Sequence, residues 1–154
     1  MTYTIIPAAV DHGILLNVSL CEADREELAA SQAQPLGAVM RGIFDSVAPV
    51  TILDKHGSIA AIAGIVHVSD ALGAPWMLST DAAKTEPMAF VRQAREWVDK
   101  QLTSYERLAH QVYRHNHDHI RLLKLLGFEV EEPRHSSQLF LPFSQCAYLP
   151  PSSV

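Results

Sequence analysis

The chain has 154 residues, a formal net charge of −5, and 48% hydrophobic against 19% charged residues. This length suits one compact domain, and the apolar content is too high for a disordered tail. The 12 Lys and Arg residues form no dense run, so we expect no nucleic-acid partner, because phosphate binding needs clustered cations. The longest nearly uncharged apolar stretch, residues 59–68, is far shorter than the roughly 20 residues of a membrane span, so no membrane partner is expected.

The first third of the chain predicts one strand followed by helices. Residues 3–6 alternate and are rich in β-formers, and Pro7 ends this strand. Asp11 is placed to cap a first helix. Residues 22–31 and 36–46 follow as two further helical segments.

The middle of the chain predicts a strand meander and then a strong helix. Residues 50–53 form a strand, residues 58–68 a central strand that is apolar on both faces, and residues 75–79 a short strand. Pro87 lies in the first turn of the helix, where a missing N–H does no harm. Apolar residues then recur at helical spacing between positions 90 and 98.

The last third predicts a strand, a second strong helix and two strands. Residues 108–113 form the first strand, Asn116 caps the helix, and Gly127 lies at its end. Residues 128–131 and 138–141 then form a hairpin pair.

This element order defines the fold class. A meander followed by βα units predicts an α/β (α+β) domain with a mixed, mostly antiparallel sheet of about six or seven strands flanked by helices. We predict a single domain over residues 1–142 and an irregular C-terminal tail over residues 143–154. The two cysteines form no CxxC pair, so we expect free thiols in a reducing compartment.

The second strong helix carries a resemblance to the GNAT (N-acetyltransferase) superfamily. Asn116 opens the helix and Gly127-Phe128 closes it. In the superfamily pattern a small residue stands three positions after the Asn and a Tyr seven after it; His119 and Leu123 take those places here. The resemblance implies a GNAT-like fold and, in its enzymes, transfer of an acyl group from acetyl-CoA to an amine.

A second resemblance covers nearly the whole chain. The helix over 22–31, the strand over 74–78, the helix over 90–97 and the unit over 116–128 together resemble a family of small podophage proteins. These are described as internal virion or morphogenesis proteins with an acetyltransferase-like fold. The resemblance implies other phage virion or assembly proteins as partners, synthesis in the host cytoplasm, and association with the virion.

The positions that GNAT enzymes use for acetyl-CoA are changed in this sequence. The resemblance implies a loop of the form Gln/Arg-x-x-Gly-x-Gly/Ala, in which glycines let backbone N–H groups approach the diphosphate. The corresponding residues 79–87 contain no glycine and end in a proline. Asp81 and Glu86 add negative charge, which Lys84 offsets only in part. The proton-donating Tyr maps to Leu123, which has no proton to give.

We therefore expect a degenerate site and no cofactor, with acetyl-CoA as cofactor only if the chain is a working N-acyltransferase. The residues left to contact it are Ser79, Thr80, Lys84, Thr85 and the helix cap Asn116. His67, in the central strand, and Tyr113, at a strand end, are the weak candidates for proton transfer to or from the amine. Each also fits a structural place in the sheet. In this alternative the cleft opens where the strands around 77–79 and 108–113 separate.

Two polar clusters are given a structural interpretation. The histidines at 115, 117 and 119 could bind a divalent metal if they shared one face. They straddle a strand end and a helix start, so their side chains should diverge, and we predict no metal site. The four acidic residues between 22 and 27 are interpreted as a solvated helix face rather than an acidic groove.

Three functions remain open from the sequence. We favour a phage-type virion structural or assembly protein on a GNAT-like scaffold, leaning away from an enzyme, with the early helices or the Pro-rich tail as docking elements. The alternative is an acyl-CoA-dependent N-acyltransferase that acts on an amine. A third, weaker hypothesis is a small host-directed binding protein.

Overall fold

A computed structural model describes residues 2–147 as one seven-stranded sheet with helices on both faces. The strands follow the order β1-β2-β3-β4-β5-β7-β6, and every neighbouring pair is antiparallel except β4 with β5, which is parallel. The strands are β1 (Thr4–Pro7), β2 (Ser46–Leu53), β3 (Ile59–His67), β4 (Leu72–Ser79), β5 (Arg107–Tyr113), β6 (Glu129–Val130) and β7 (Phe140–Cys146). The helices are α1 (Val10–Ser19), α2 (Glu22–Ala30), α3 (Pro35–Asp45), α4 (Pro87–Gln101) and α5 (His117–Leu125), with a 3-10 turn at Asp81–Lys84.

Two hydrophobic clusters cover the two faces of the sheet. The larger one packs α4 and α5 against the sheet, and the smaller one does the same for α1 and α3. Strand β4 contributes to both because successive side chains point to opposite faces. Met77 packs against the larger cluster, whereas Trp76 and Leu78 belong to the smaller one.

Local sequence signals explain the two long helices. In α4, Phe90, Ala94 and Val98 are buried at four-residue spacing, which places them in one stripe toward the sheet. In α5, the Asn116 side chain accepts a hydrogen bond from the N–H of His119 and caps the helix. Gly127 follows this helix at φ +95°, a left-handed conformation that glycine adopts without strain.

The predicted fold class and element order are confirmed, with differences at several boundaries. β4 begins at Leu72 rather than 75, because a tight turn lets Val68 N–H bond the carbonyl of Leu72. α1 begins at Val10, so Asp11 lies in its first turn and not at its cap. β7 continues to Cys146 along the whole of β5, so residues 143–146 of the predicted tail belong to the sheet. Residues 148–154 of that tail lie outside the described part of the chain.

None of the helices within residues 2–147 combines the length and the apolar character needed to cross a bilayer.

Candidate functional site

The parallel strands β4 and β5 separate partway along their length. Their paired residues are Leu72 with Arg107 and Gly73 with Leu108. Beyond these pairs, β4 continues on β3 to Ser79 and β5 continues on β7 to Tyr113. A wedge-shaped gap therefore opens between the two strands, as expected from the sequence for residues 77–79 and 108–113.

Two carboxylates from α2 bridge this gap. Asp24, only 4% exposed, accepts hydrogen bonds from the backbone N–H of Ser79 at 2.9 Å and from its hydroxyl at 3.0 Å. Glu27 accepts from the N–H of Tyr113 at 3.1 Å. The two acids lie three residues apart, so they share one face of the helix. Asp24 thus accepts from a backbone N–H at the end of β4, and Glu27 accepts from one at the end of β5. These N–H groups lie where the two strands no longer pair with each other.

Asn116 connects the two carboxylates to α5. Its Nδ2 donates to Asp24 at 3.0 Å and to Glu27 at 3.3 Å, while its Oδ1 caps the helix through the N–H of His119. The side chain is 2% exposed. A buried amide costs free energy unless it is hydrogen-bonded, and here both ends of the amide have partners. The cap predicted from sequence is therefore also the centre of a buried polar network.

His119 extends from the first turn of α5 to the same network. Its Nδ1 lies 3.9 Å from Glu27 Oε1 and has no hydrogen-bond partner among the residues that the structure describes. The side chain is 13% exposed and lines three neighbouring cavities. His119 is therefore an internal wall between them.

The largest of these cavities lies between the N-terminal parts of α4 and α5 and has a volume of about 320 Å³. Met77, Phe90 and Leu122 give it apolar walls, and the polar network around Asp24 forms part of its floor. A second cavity of about 290 Å³ lies on the other side of the gap, between α2, α3 and β4. The gap is thus flanked by open space on both faces of the sheet.

An ion pair lies at the edge of the larger cavity. Lys84 Nζ and Asp118 Oδ2 are 2.7 Å apart. The hydrogen bond to Asp118 raises the pKa of Lys84, and the same bond lowers the pKa of Asp118. Lys84 is the one cation of residues 79–87, and its charge is already paired with Asp118.

The loop that follows β4 makes hydrogen bonds within itself, to β3 and to Tyr3. The N–H of Ala82 donates to Thr80 Oγ1, which in turn donates to the carbonyl of Ile59 at 2.7 Å. The N–H of Glu86 donates to the Tyr3 hydroxyl, which lies 3.2 Å from Thr85 Oγ1. Loop donors are therefore used within the protein, where the resemblance to acetyl-CoA enzymes implies donors free for a diphosphate.

Cys21 lies in the wall of the same cavity. Burial is the main cause that raises the pKa of Cys21, and the charge of Asp24 raises it further. Its Sγ lies 3.6 Å from the Ser79 hydroxyl. Because the thiolate is the reactive form, this environment does not favour a nucleophile.

The two candidates for proton transfer occupy different places. His67 pairs with Gly73, six residues along β4 from Ser79, which is about 20 Å away at 3.3 Å per residue. Its Nδ1 lies 3.0 Å from the hydroxyl of Tyr105, so the structure does not bring it to the gap. Tyr113 lies at the mouth of the gap, with its ring against Phe140 at 5.7 Å between centroids.

The three histidines diverge only in part, because the rings of His115 and His117 stay 6.5 Å apart between centroids. The ring of His115 packs against Tyr113, at 5.2 Å between centroids, whereas His119 turns inward toward Glu27. Within residues 2–147 no group of three His, Cys, Asp or Glu side chains is placed to hold a metal ion.

Sequence reasoning missed Asp24 and Glu27. Their interpretation as part of a solvated face is wrong for these two acids, although Glu22 and Glu26 are exposed. The available signal was the three-residue spacing of the two acids on a predicted helix.

Leu123, in the place of the family's proton-donating Tyr, is buried in the core at 4% exposure.

This topology is that of the GNAT acetyltransferases. The chain is similar to the structure of AAC(6')-Ib in complex with paromomycin and acetyl-CoA, with a TM-score of 0.70, 12% identity, and coverage of 95% of this chain and 94% of that one. It is also similar to RimL, a ribosomal L7/L12 alpha-N-protein acetyltransferase (TM-score 0.66, 8% identity, 96% and 95% covered). A third similar structure is a GNAT-family acetyltransferase from Bacillus anthracis (TM-score 0.67, 7% identity, 95% of each chain covered). At these identities the likeness shows the fold alone.

Residues 52–132 match the family model described as Bacteriophage T7, probable scaffold protein Gp13. The match spans more than half of the 154 residues, and the chain belongs to this family. Both resemblances read from the sequence, to GNAT proteins and to phage proteins, are confirmed. No curated protein is significantly similar to the chain in sequence.

Proposed function

We propose that this chain is a phage virion structural or assembly protein, and that its GNAT-like scaffold does not perform acetyl transfer. The observation that carries the proposal is the bridge of Asp24 and Glu27 across the gap between β4 and β5. The family match supports the phage context. Partners would be other virion or assembly proteins, met after synthesis in the host cytoplasm.

The bridge leaves little for an acyl carrier to bind. A ligand in the gap would have to take the N–H groups of Ser79 and Tyr113 from Asp24 and Glu27. Each buried polar group left without a partner costs about 1–3 kcal/mol, and a buried carboxylate left unpaired costs more. Displacing the bridge is therefore unfavourable before any ligand contact is counted.

The surroundings of the gap do not fit a diphosphate either. Lys84 is paired with Asp118, and residues 79–87 lack the glycines that would let phosphates approach the backbone. Pro87 removes a donor where α4 begins. With Leu123 in the place of the acid, the residues present do not fit acetyl-CoA or its chemistry.

The proposal is tested by the composition of purified particles. Quantitative mass spectrometry of phage particles should detect the chain at a fixed copy number relative to the capsid protein. Affinity capture from infected cells should retain a portal, tail or internal virion protein. Clean particles without the chain, together with capture that retains no virion protein, would contradict an assembly role.

An N-acyltransferase is the second candidate function, because about 320 Å³ of open space adjoins Ser79. Calorimetric titration with acetyl-CoA separates the two candidates. We expect no heat of binding and no thiol release with amine acceptors. Binding in the micromolar range would favour the enzyme, whatever the particle composition shows.

A further inference from the structure

Helices α1 and α3 pack together on one face of the sheet. They touch at Gly13, where an added Cβ would lie 2.9 Å from Met40 Cε and 3.1 Å from Ile43 Cδ1. The start of α1 lies beside the end of α3, because the N–H of Ala8 donates to the carbonyl of Pro49 just after α3 ends. The absence of a side chain at Gly13 therefore lets the two helices approach closely.

The outer side of this helix pair is largely apolar. A surface helix ordinarily turns polar residues toward water, but α1 and α3 expose several large apolar side chains beside a few charged ones. We define the α1–α3 face by its six exposed apolar side chains: Val10 (45% exposed), Ile14 (52%), Leu15 (59%), Val18 (75%), Leu36 (43%) and Phe44 (71%).

The spacing of these residues produces two neighbouring ridges. Val10, Ile14 and Val18 recur every four residues on α1. Leu36 and Phe44 lie eight apart on α3, with Met40 midway between them. Rows at four-residue spacing are the ridges by which helices interlock. The helices meet at Gly13 and Met40, so the two rows lie on neighbouring helices.

The exposed area is large for a chain of this size. The six side chains expose on the order of 600 Å² of apolar surface, at the upper end of the largest patches on ordinary monomers. Each partner of a stable complex contributes about 800 Å². The face can therefore supply most of one side of a stable interface.

The charges around the face fit a second copy of the same chain. The net charge of −5 makes two copies repel wherever acids meet, but none of the six side chains is charged. Asp11 on α1, and Arg41 and Asp45 on α3, lie exposed on these helices, and none forms an ion pair within residues 2–147. In a two-fold contact, Arg41 of one copy can meet Asp11 or Asp45 of the other, and the reverse contact follows by symmetry.

We propose that the α1–α3 face binds the same face of a second copy, so that two helix pairs form a four-helix layer between two sheets. Such layers pack by the same interlocking ridges. The proposal goes beyond the assembly role, because it holds whether or not the chain enters a virion and whether or not it binds an acyl carrier.

The test is the mass of the purified full chain by light scattering and sedimentation velocity, from about 1 to about 100 µM, because dimer formation follows mass action. We expect a species of twice 17.0 kDa that dissociates on dilution. Phe44→Glu should weaken the dimer at least tenfold. Met88→Glu is the matched control, since Met88 is also 71% exposed but lies on α4; it should leave the dimer unchanged.

A charge exchange separates interface effects from folding effects. Arg41→Asp should weaken the dimer, and Arg41→Asp combined with Asp11→Arg and Asp45→Arg should restore it, with circular dichroism unchanged throughout. A monomer at every concentration would overturn the proposal. Equal dissociation by Phe44→Glu and Met88→Glu, or a dimer insensitive to Phe44→Glu, would also overturn it.

Discussion

The two ends of the β4–β5 junction are held together by different chemistry. At the paired end, Gly73 and Leu108 meet in backbone pairing with Tyr105 and Ile65 packed around them. At the open end, the strands form no backbone pairs, and the side chains of Asp24, Glu27 and Asn116 bridge them. One pair of strands is thus held by apolar contact at one end and by buried polar groups at the other. The polar end is the one that a single substitution can leave with unpaired donors.

The largest effect is expected at the open end, from Asp24→Ala. This change removes the acceptor of the Ser79 N–H and hydroxyl and one of the two acceptors of Asn116 Nδ2, all in a largely buried place. We expect a loss of about 2–4 kcal/mol in the free energy of unfolding by urea. Glu22→Ala, on the exposed side of the same helix, should change it by less than about 0.5 kcal/mol. Equal effects of the two variants would contradict the bridge.

A smaller effect is expected at the paired end, from Gly73→Ala. The added Cβ would lie 2.5 Å from Ile65 Cγ2 and 3.2 Å from Leu108 Cδ2. Overpacking of this kind costs about 1–3 kcal/mol. Gly37→Ala is the control, because nothing lies within 4 Å of its Cβ position in α3, and it should stabilise the helix by up to about 1 kcal/mol. A neutral Gly73→Ala in thermal unfolding would show that the junction is loosely packed.

The smallest effect is expected from the ion pair at the cavity edge. The pKa of Asp118 is lowered from 3.8 by its bond to Lys84. The stability that Asp118 gains is therefore present above pH 3.8 and is lost as the pH falls through its lowered folded value. The pKa of Lys84 is raised from 10.5. The stability that Lys84 gains from the pair is therefore present below pH 10.5 and is lost as the pH rises through its raised folded value.

Both side chains are about half exposed, so Asp118→Asn should cost only about 0.5 kcal/mol at neutral pH. The difference from wild type in urea unfolding should shrink in acid and in high salt. Asp99→Asn, at an exposed position of α4, is the control and should change the free energy of unfolding by less than about 0.5 kcal/mol at neutral pH. A difference that persists in strong acid would mean that the pair stabilises through something other than charge.

Most of the fold could be predicted because its signals are local. The stripe of Phe90, Ala94 and Val98, and the cap and end of α5 at Asn116 and Gly127, lie within one element each. The extent of β7 could not be predicted in the same way. Residues 143–146 are strand because β5 pairs with them, and nothing in their own pattern shows that pairing.

The candidate site was only partly predictable because its contacts are distant in sequence. Asp24 binds residues 55 and 92 positions away, so its burial cannot be read from the polar pattern of α2. Asn116 was found because its capping role is local. The sequence places His67 in the correct strand, β3. Which end of β3 lies near the gap depends on its register with β4, and the sequence alone does not show that register.

Of the two cysteines, Cys21 is the harder one for a labelling reagent to reach. It is 5% exposed and lies where α2 begins, whereas Cys146 is exposed at the end of β7. An alkylating reagent should therefore modify Cys146 first, and should modify Cys21 only as it enters the cavity that this thiol lines and as the thiol, whose pKa is raised, loses its proton. A partner that covers this cavity should slow the labelling of Cys21 and leave the labelling of Cys146 unchanged.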